Sequence, residues 1–135
     1  MNFLNSLTSY SDWGLLALRL AIGAVFVVHG KAKLGMWKMQ PNEQMKAPMI
    51  SLMKLLSVAE LLGGIALVAG FLTQLAALGL GIIMLGALYF KLRVWKSPFT
   101  SQTAAGWEFD LVLLAGCLVL LTSGAGAYSL DQWLR

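Results

Sequence analysis

The chain reads as a series of long, charge-poor apolar runs separated by short stretches that hold most of its charged residues, and run length defines the elements. A bilayer core of about 30 Å needs roughly 20 apolar residues per helix. The first run spans residues 13–34 and has an uncharged heart from Leu20 to Val28, with Arg19, His29, Lys31 and Lys33 around it. No charge occurs from Leu61 to Phe90; as one helix that stretch would be about 45 Å long, too long for a single crossing. Thr73-Gln74, after Gly70, supplies a turn, so the spacing predicts two helices over residues 51–70 and 74–94. A fourth run, Leu111 to Leu130, follows Gly106-Trp107-Glu108-Phe109-Asp110, and Gly124-Ala125-Gly126-Ala127 ends its helix, which is expected over residues 107–126. The expected fold is all-α: an integral membrane four-helix bundle of up-down topology, in one domain over residues 1–135 without internal repeats.

Lys and Arg are retained on the cytoplasmic side of short loops, and their distribution orients the bundle. Lys31, Lys33, Lys38, Lys46 and Lys54 flank the first connection, and Lys91, Arg93 and Lys96 the third, whereas the other face has only Arg135. Both termini are therefore expected outside the cytoplasm. Trp13 and Trp133 fall at the outer boundary and Trp37, Trp95 and Trp107 at the inner one, where amphipathic rings favour the headgroup level. No basic segment or small-residue cleavage site accompanies the first run, which reads as a retained helix rather than a signal peptide. The expected location is the bacterial cytoplasmic (inner) membrane, as a multi-pass protein.

Composition removes the soluble alternative: 59% of the 135 residues are hydrophobic, 12% are charged, and mean hydropathy is +0.75, against about 45–50% apolar and 25% charged in soluble domains. The net charge of +4 is spread too thinly for a nucleic-acid face. A single Cys, Cys117, and a single His, His29, exclude an intrachain disulfide, a CxxC pair and a zinc site built from Cys and His alone.

Helices in lipid associate through close packing and polar contacts. The pairs Ala59 and Gly63, Ala66 and Gly70, Ala77 and Gly81, and Gly79 and Gly86 each share a helical face, and their role is structural. Ionisable groups inside a span each need a partner or a polar cavity. On the helical rise, Glu60 lies about 12 Å and His29 about 7 Å from the inner boundary, Glu108 and Asp110 within about 3 Å of it, and Arg19 about 22 Å away.

Two readings of the inner group stand side by side. In one, Glu60 accepts bonds from His29 or Lys33, four apart on one face, and the set fixes helix packing. In the other, the carboxylate beside the single His forms a proton-handling or ligand-gripping site. Glu108 and Asp110 point about 200° apart on a helix, so only one of them joins Glu60. Arg19 is expected to pair with Asp131 and tie down the C-terminal segment. Met36, Met39, Met45, Met49 and Met53 cluster around the first connection; thioethers suit Cu(I), but they equally fill a loop lying on lipid.

The ordered set Leu18-Arg19-Leu20, Gly23, Phe26, His29-Gly30 and Lys33, then Glu60, Gly63-Gly64 and Gly70, then Gly106-Trp107-Glu108-Phe109-Asp110, and finally Gly124, Gly126 and Tyr128-Ser129-Leu130-Asp131 resembles the DoxX family of small integral membrane proteins, over about Leu15 to Asp131. The resemblance implies a four-helix membrane bundle and a link to quinone-linked sulfur oxidation or to soluble redox and thiol-stress enzymes. It carries Arg19, His29, Glu60 and Glu108 over as candidate site residues, with Lys33, Asp110 and Asp131 as a second set. Many members have a His near the end of the third helix; here Tyr89 to Trp95 holds none, which argues against haem or copper needing a second imidazole.

The leading expectation is a membrane subunit or anchor of a quinone-linked or thiol/sulfur redox system, with quinone as the candidate cofactor and a soluble oxidoreductase as partner. A small proton-coupled transporter or channel, assembled as a homo-oligomer, and a purely structural scaffold are the alternatives.

Overall fold

The computed structural model describes residues 2–135. Among them every regular element is helical and no strand occurs. A short helix α1 (Asn2–Ser6) and a 3-10 turn (Leu7–Tyr10) lead into α2 (Ser11–Leu34), which ends in a second 3-10 turn (Gly35–Lys38). Then come α3 (Ala47–Ala69), α4 (Thr73–Tyr89) continued by a π-helical turn (Phe90–Val94), α5 (Trp107–Ser123) and α6 (Leu130–Trp133).

The ends of these helices follow from local chemistry. In α2, Asp12 lies in the first turn and Lys31 and Lys33 in the last, each complementing the helix dipole. α3 begins at Ala47, before the expected residue 51, because Pro48 sits in the first turn, where its missing N–H is no loss. Gly70 closes α3 in the left-handed conformation, φ +66°, and Phe71 N–H reaches back to the Ala66 carbonyl at 2.9 Å. Gly124 likewise has φ +77°, so α5 stops at Ser123 rather than at residue 126.

Three helical stretches are long and apolar enough to cross a membrane: Phe3–Lys38, Ala47–Ala69 and Thr73–Val94. α5, with 17 residues, is about 25 Å long. Large apolar side chains such as Leu55, Leu62, Ile82 and Val112 point outward, which suits hydrocarbon rather than water. Ile22, Phe26, Leu67, Leu80, Met84, Leu113 and Leu120 fill the interior.

The closest helix approach is between α2 and α3. A Cβ added at Gly23 would lie 2.8 Å from the Gly64 carbonyl oxygen, and one at Gly30 would lie 2.7 Å from Leu61 N. Backbone meets backbone there, which only glycine permits. Of the small residues singled out above, Gly63 packs on Leu80, Gly81 makes ordinary contact with Cys117, and Gly70 forms the turn. Gly79 and Gly86 face open space and bring no helices together in this chain.

Candidate polar sites at the two ends of the bundle

Antiparallel packing gives the bundle a lysine-rich end, where α2 finishes and α3 starts, and a terminal end, where α3 turns into α4 and the last residues of the chain fold back. At the lysine-rich end Lys33 Nζ lies 2.5 Å from Glu60 Oε1. Lys33, rather than His29, is thus the partner of Glu60, because its long stem reaches across to α3. Glu60 is 1% exposed, and its second oxygen, Oε2, has no hydrogen-bond donor. One turn earlier on α3, Ser57 accepts a hydrogen bond from Trp37 Nε1 at 2.9 Å and donates to the Lys54 carbonyl. The 3-10 turn after α2 is thereby folded back against α3.

The acids of α5 are engaged on their own side. Lys91, in the π-helical turn, places Nζ 2.6 Å from Asp110 Oδ2 and also donates to the Ala105 and Gly106 carbonyls. Glu108 folds back onto Gly106, where a Cβ would collide with its carboxylate, and Glu108 Oε2 is buried without a donor. Neither Glu108 nor Asp110 pairs with Glu60, contrary to the expectation that one of them would. The helix they start is anchored to α4 and to the loop before it, where Glu108 N–H donates to the Phe99 carbonyl at 3.1 Å. His29 bridges the two helix pairs by ring contact, its centroid 5.5 Å from that of Phe109.

At the terminal end Arg19 is almost completely buried and donates from Nη1 to the Leu67 carbonyl at 3.1 Å and from Nη2 to the Tyr128 carbonyl at 2.5 Å. Asp131 accepts from Leu72 N at 2.7 Å and from Thr73 N at 2.9 Å, while its own N–H donates to the Gly70 carbonyl. The expected Arg19–Asp131 ion pair is therefore not formed among the described residues. The physical reason lies in the helix ends: the last carbonyls of α3 are a ready site for a cation, and the first N–H groups of α4 for an anion. Leu72, left-handed at the start of α4, offers no side-chain cap, so Asp131 supplies one from across the chain. Burial works to raise the Asp131 carboxyl, but the Thr73 and Leu72 N–H groups and the nearby Arg135 outweigh it and hold its pKa below the usual carboxylate value.

The five methionines of the first connection range from half-buried to exposed, and among the described residues no group of three or more His, Cys, Asp or Glu is arranged to hold a metal ion. Sequence reasoning missed the roles of Lys91 and Trp37. Lys91 is the first charge after the long uncharged run, a signal that was open to reading.

Residues 14–92 match the DoxX family. Over 129 residues the chain is 30% identical to an uncharacterized protein of Haemophilus influenzae, covering 96% of each. Over 135 residues it is 31% identical to an uncharacterized membrane protein of Mycobacterium tuberculosis, covering 89% of this chain and 80% of that relative. No solved structure matches. With a match across more than half its length and a relative aligned over nearly all of it, the chain belongs to the DoxX family of membrane proteins.

Proposed function

We propose that the protein is a multi-pass subunit of the bacterial inner membrane, crossing it four times with both termini outside the cytoplasm, and that Glu60 takes up a proton from a lipophilic quinol. In that reaction the quinol loses two protons and two electrons and leaves as the quinone. Glu60 Oε2 accepts one hydroxyl proton, the second leaves to water at the lysine-rich end, and the electrons pass to a soluble oxidoreductase docked at that end. His29 and Phe109 supply the ring surface beside the site, and Lys33 balances the carboxylate charge.

The observation that carries this reading is the buried Glu60 oxygen without a donor. A carboxylate oxygen held out of water is costly unless something donates to it, so the site calls for a hydroxyl-bearing occupant. A quinol has the required donor and the apolar body to reach it through lipid.

A scaffold reading draws on a different observation. Lys33 with Glu60, Lys91 with Asp110, Arg19 on the α3 carbonyls and Asp131 on the α4 N–H groups are all used to join helices. The two readings part on Glu60→Gln. The quinol reading expects gently purified wild-type protein to carry quinone above the host-membrane ratio and the variant to lose it; the scaffold reading expects no difference.

A further inference from the structure

The terminal end holds a polar cleft of about 310 Å³, at the lower edge of small-molecule sites, that the proposed chemistry does not use. Its walls are the start of α2, the turn after α5 and the C-terminal segment. Gly124 and Gly126, both at positive φ, carry the chain out of α5 and around the cleft. Asp12 Oδ1 accepts from Ala127 N at 2.9 Å, and Ser129 Oγ donates to the Gly126 carbonyl at 2.7 Å. Both contacts hold that turn in place.

Subtracting the groups already engaged leaves a defined chemistry. Asp131 has both oxygens on α4, Asp12 has one on Ala127, and the Gln74 amide nitrogen is donated to the Leu121 carbonyl. Among the residues lining the cleft, the groups without a hydrogen-bond partner include the second carboxylate oxygen of Asp12, the amide oxygen of Gln74, the Gln132 amide and the Arg135 guanidinium. That set combines acceptors with one cation.

The cleft lies at an aromatic level: Trp13 packs on Tyr128 at a tilt of 42° with centroids 4.4 Å apart, and Trp133 is largely exposed. Such rings mark the headgroup depth of a bilayer. We propose that this cleft binds a zwitterion pairing a primary ammonium with a phosphodiester, the headgroup of an ethanolamine phospholipid. The ammonium donates to Asp12 and Gln74, and the phosphodiester meets Arg135. A choline headgroup has the same charges but no N–H to give these acceptors, so the site discriminates between the two.

The test uses the full chain in discs of equal ethanolamine and choline phospholipid, with the lipids retained on the protein quantified after delipidation. Wild type is expected to retain the ethanolamine lipid in preference. Asp12→Asn, which keeps the acceptor for Ala127 and removes the charge, is expected to weaken that preference by about tenfold, as for the loss of one charge-assisted hydrogen bond, whereas Arg135→Gln, which loses the contact to the phosphodiester that both lipids share, is expected to lower retention of both lipids and leave the preference unchanged. Retention at the bulk ratio by wild type, or an unchanged preference in Asp12→Asn, overturns the lipid assignment.

A second arm titrates soluble glycerophosphoethanolamine, with glycerophosphocholine as control, against protein in choline-lipid discs and reads amide-exchange protection at residues 124–129. Protection by the ethanolamine compound that is lost in Asp12→Asn, without lipid enrichment in the first arm, upholds the ligand chemistry and moves its source from the bilayer to a solute. No protection by either compound, together with no lipid enrichment, overturns the site.

Discussion

Lys33 and Glu60 form one ion pair from two very different positions: the lysine side chain is 26% exposed and the glutamate 1%. Removing one partner therefore does not equal removing the other. Lys33→Met strands a buried carboxylate, a change that typically costs about 3–5 kcal/mol. Glu60→Gln leaves a lysine able to extend its stem toward the headgroups, which costs less. Thermal unfolding in a mild detergent should place Lys33→Met well below Glu60→Gln; equal losses would mean that the pair is not buried on the glutamate side.

Glycine substitutions separate packing from propensity. At Gly30 an added methyl meets Leu61 N and the Ser57 carbonyl within 3 Å, so Gly30→Ala must push α2 from α3 and lose about 1–3 kcal/mol. Gly79 has nothing within 4 Å of the same atom, and Gly79→Ala should gain up to about 1 kcal/mol from helix propensity. Melting temperatures of the two variants, measured side by side, should move in opposite directions.

The clamp at the terminal end depends on pH through Asp131. Its folded-state pKa is depressed by the α4 N–H groups and Arg135 despite burial, so its contribution to stability is complete above the unfolded carboxylate value of about 3.9 and is lost as pH falls from there through the folded value. Asp131→Ala removes the cap of α4 outright and should cost about 1–2 kcal/mol at neutral pH, fading in acid. Stability of wild type and variant, followed from pH 7 downward, should converge below about pH 4; a constant difference would place the effect elsewhere.

Helix positions were the legible part of this chain, because lipid thickness sets run length and a gap of uncharged residues from Leu61 to Phe90 can only be two helices. Boundaries slipped where a single residue overruled the run: Pro48 admits α3 four residues early, and Gly124 stops α5 before its apolar residues end. Partners were harder to read. Depth placed Arg19 and Asp131 near one another, but depth does not count backbone groups, and the open ends of α3 and α4 compete for both charges. Lys91 reads as one more basic residue on the cytoplasmic side: as the first charge after the uncharged run it marks the end of α4, but that signal does not name Asp110, on the neighbouring α5, as its partner. The spacing of Gly79 and Gly86 suggests a contact face on α4, whereas the close approach uses Gly23, Gly30 and Gly64; Gly23 and Gly30 have the same seven-residue spacing, so spacing does not tell a packed glycine pair from an open one.

Topology has a direct assay. Single cysteines at Ser9, Glu43, Thr103 and Arg135, all exposed positions, can be labelled with a membrane-impermeant maleimide in intact cells; Cys117 is buried and stays silent. Ser9→Cys and Arg135→Cys should label without permeabilisation, and Glu43→Cys and Thr103→Cys only after it. Labelling of positions 9 and 135 from opposite sides would contradict four crossings, and labelling of positions 103 and 135 from the same side would show that α5 is the helix that does not cross.

If Glu60 is the proton acceptor for a quinol, the quinone content of the gently purified protein must depend on it, and this is measured in wild type against Glu60→Gln, each referred to the quinone-to-lipid ratio of the membranes it came from. Enrichment is expected in wild type and the host ratio in the variant. Host-ratio quinone in both would rule out Glu60 as that acceptor.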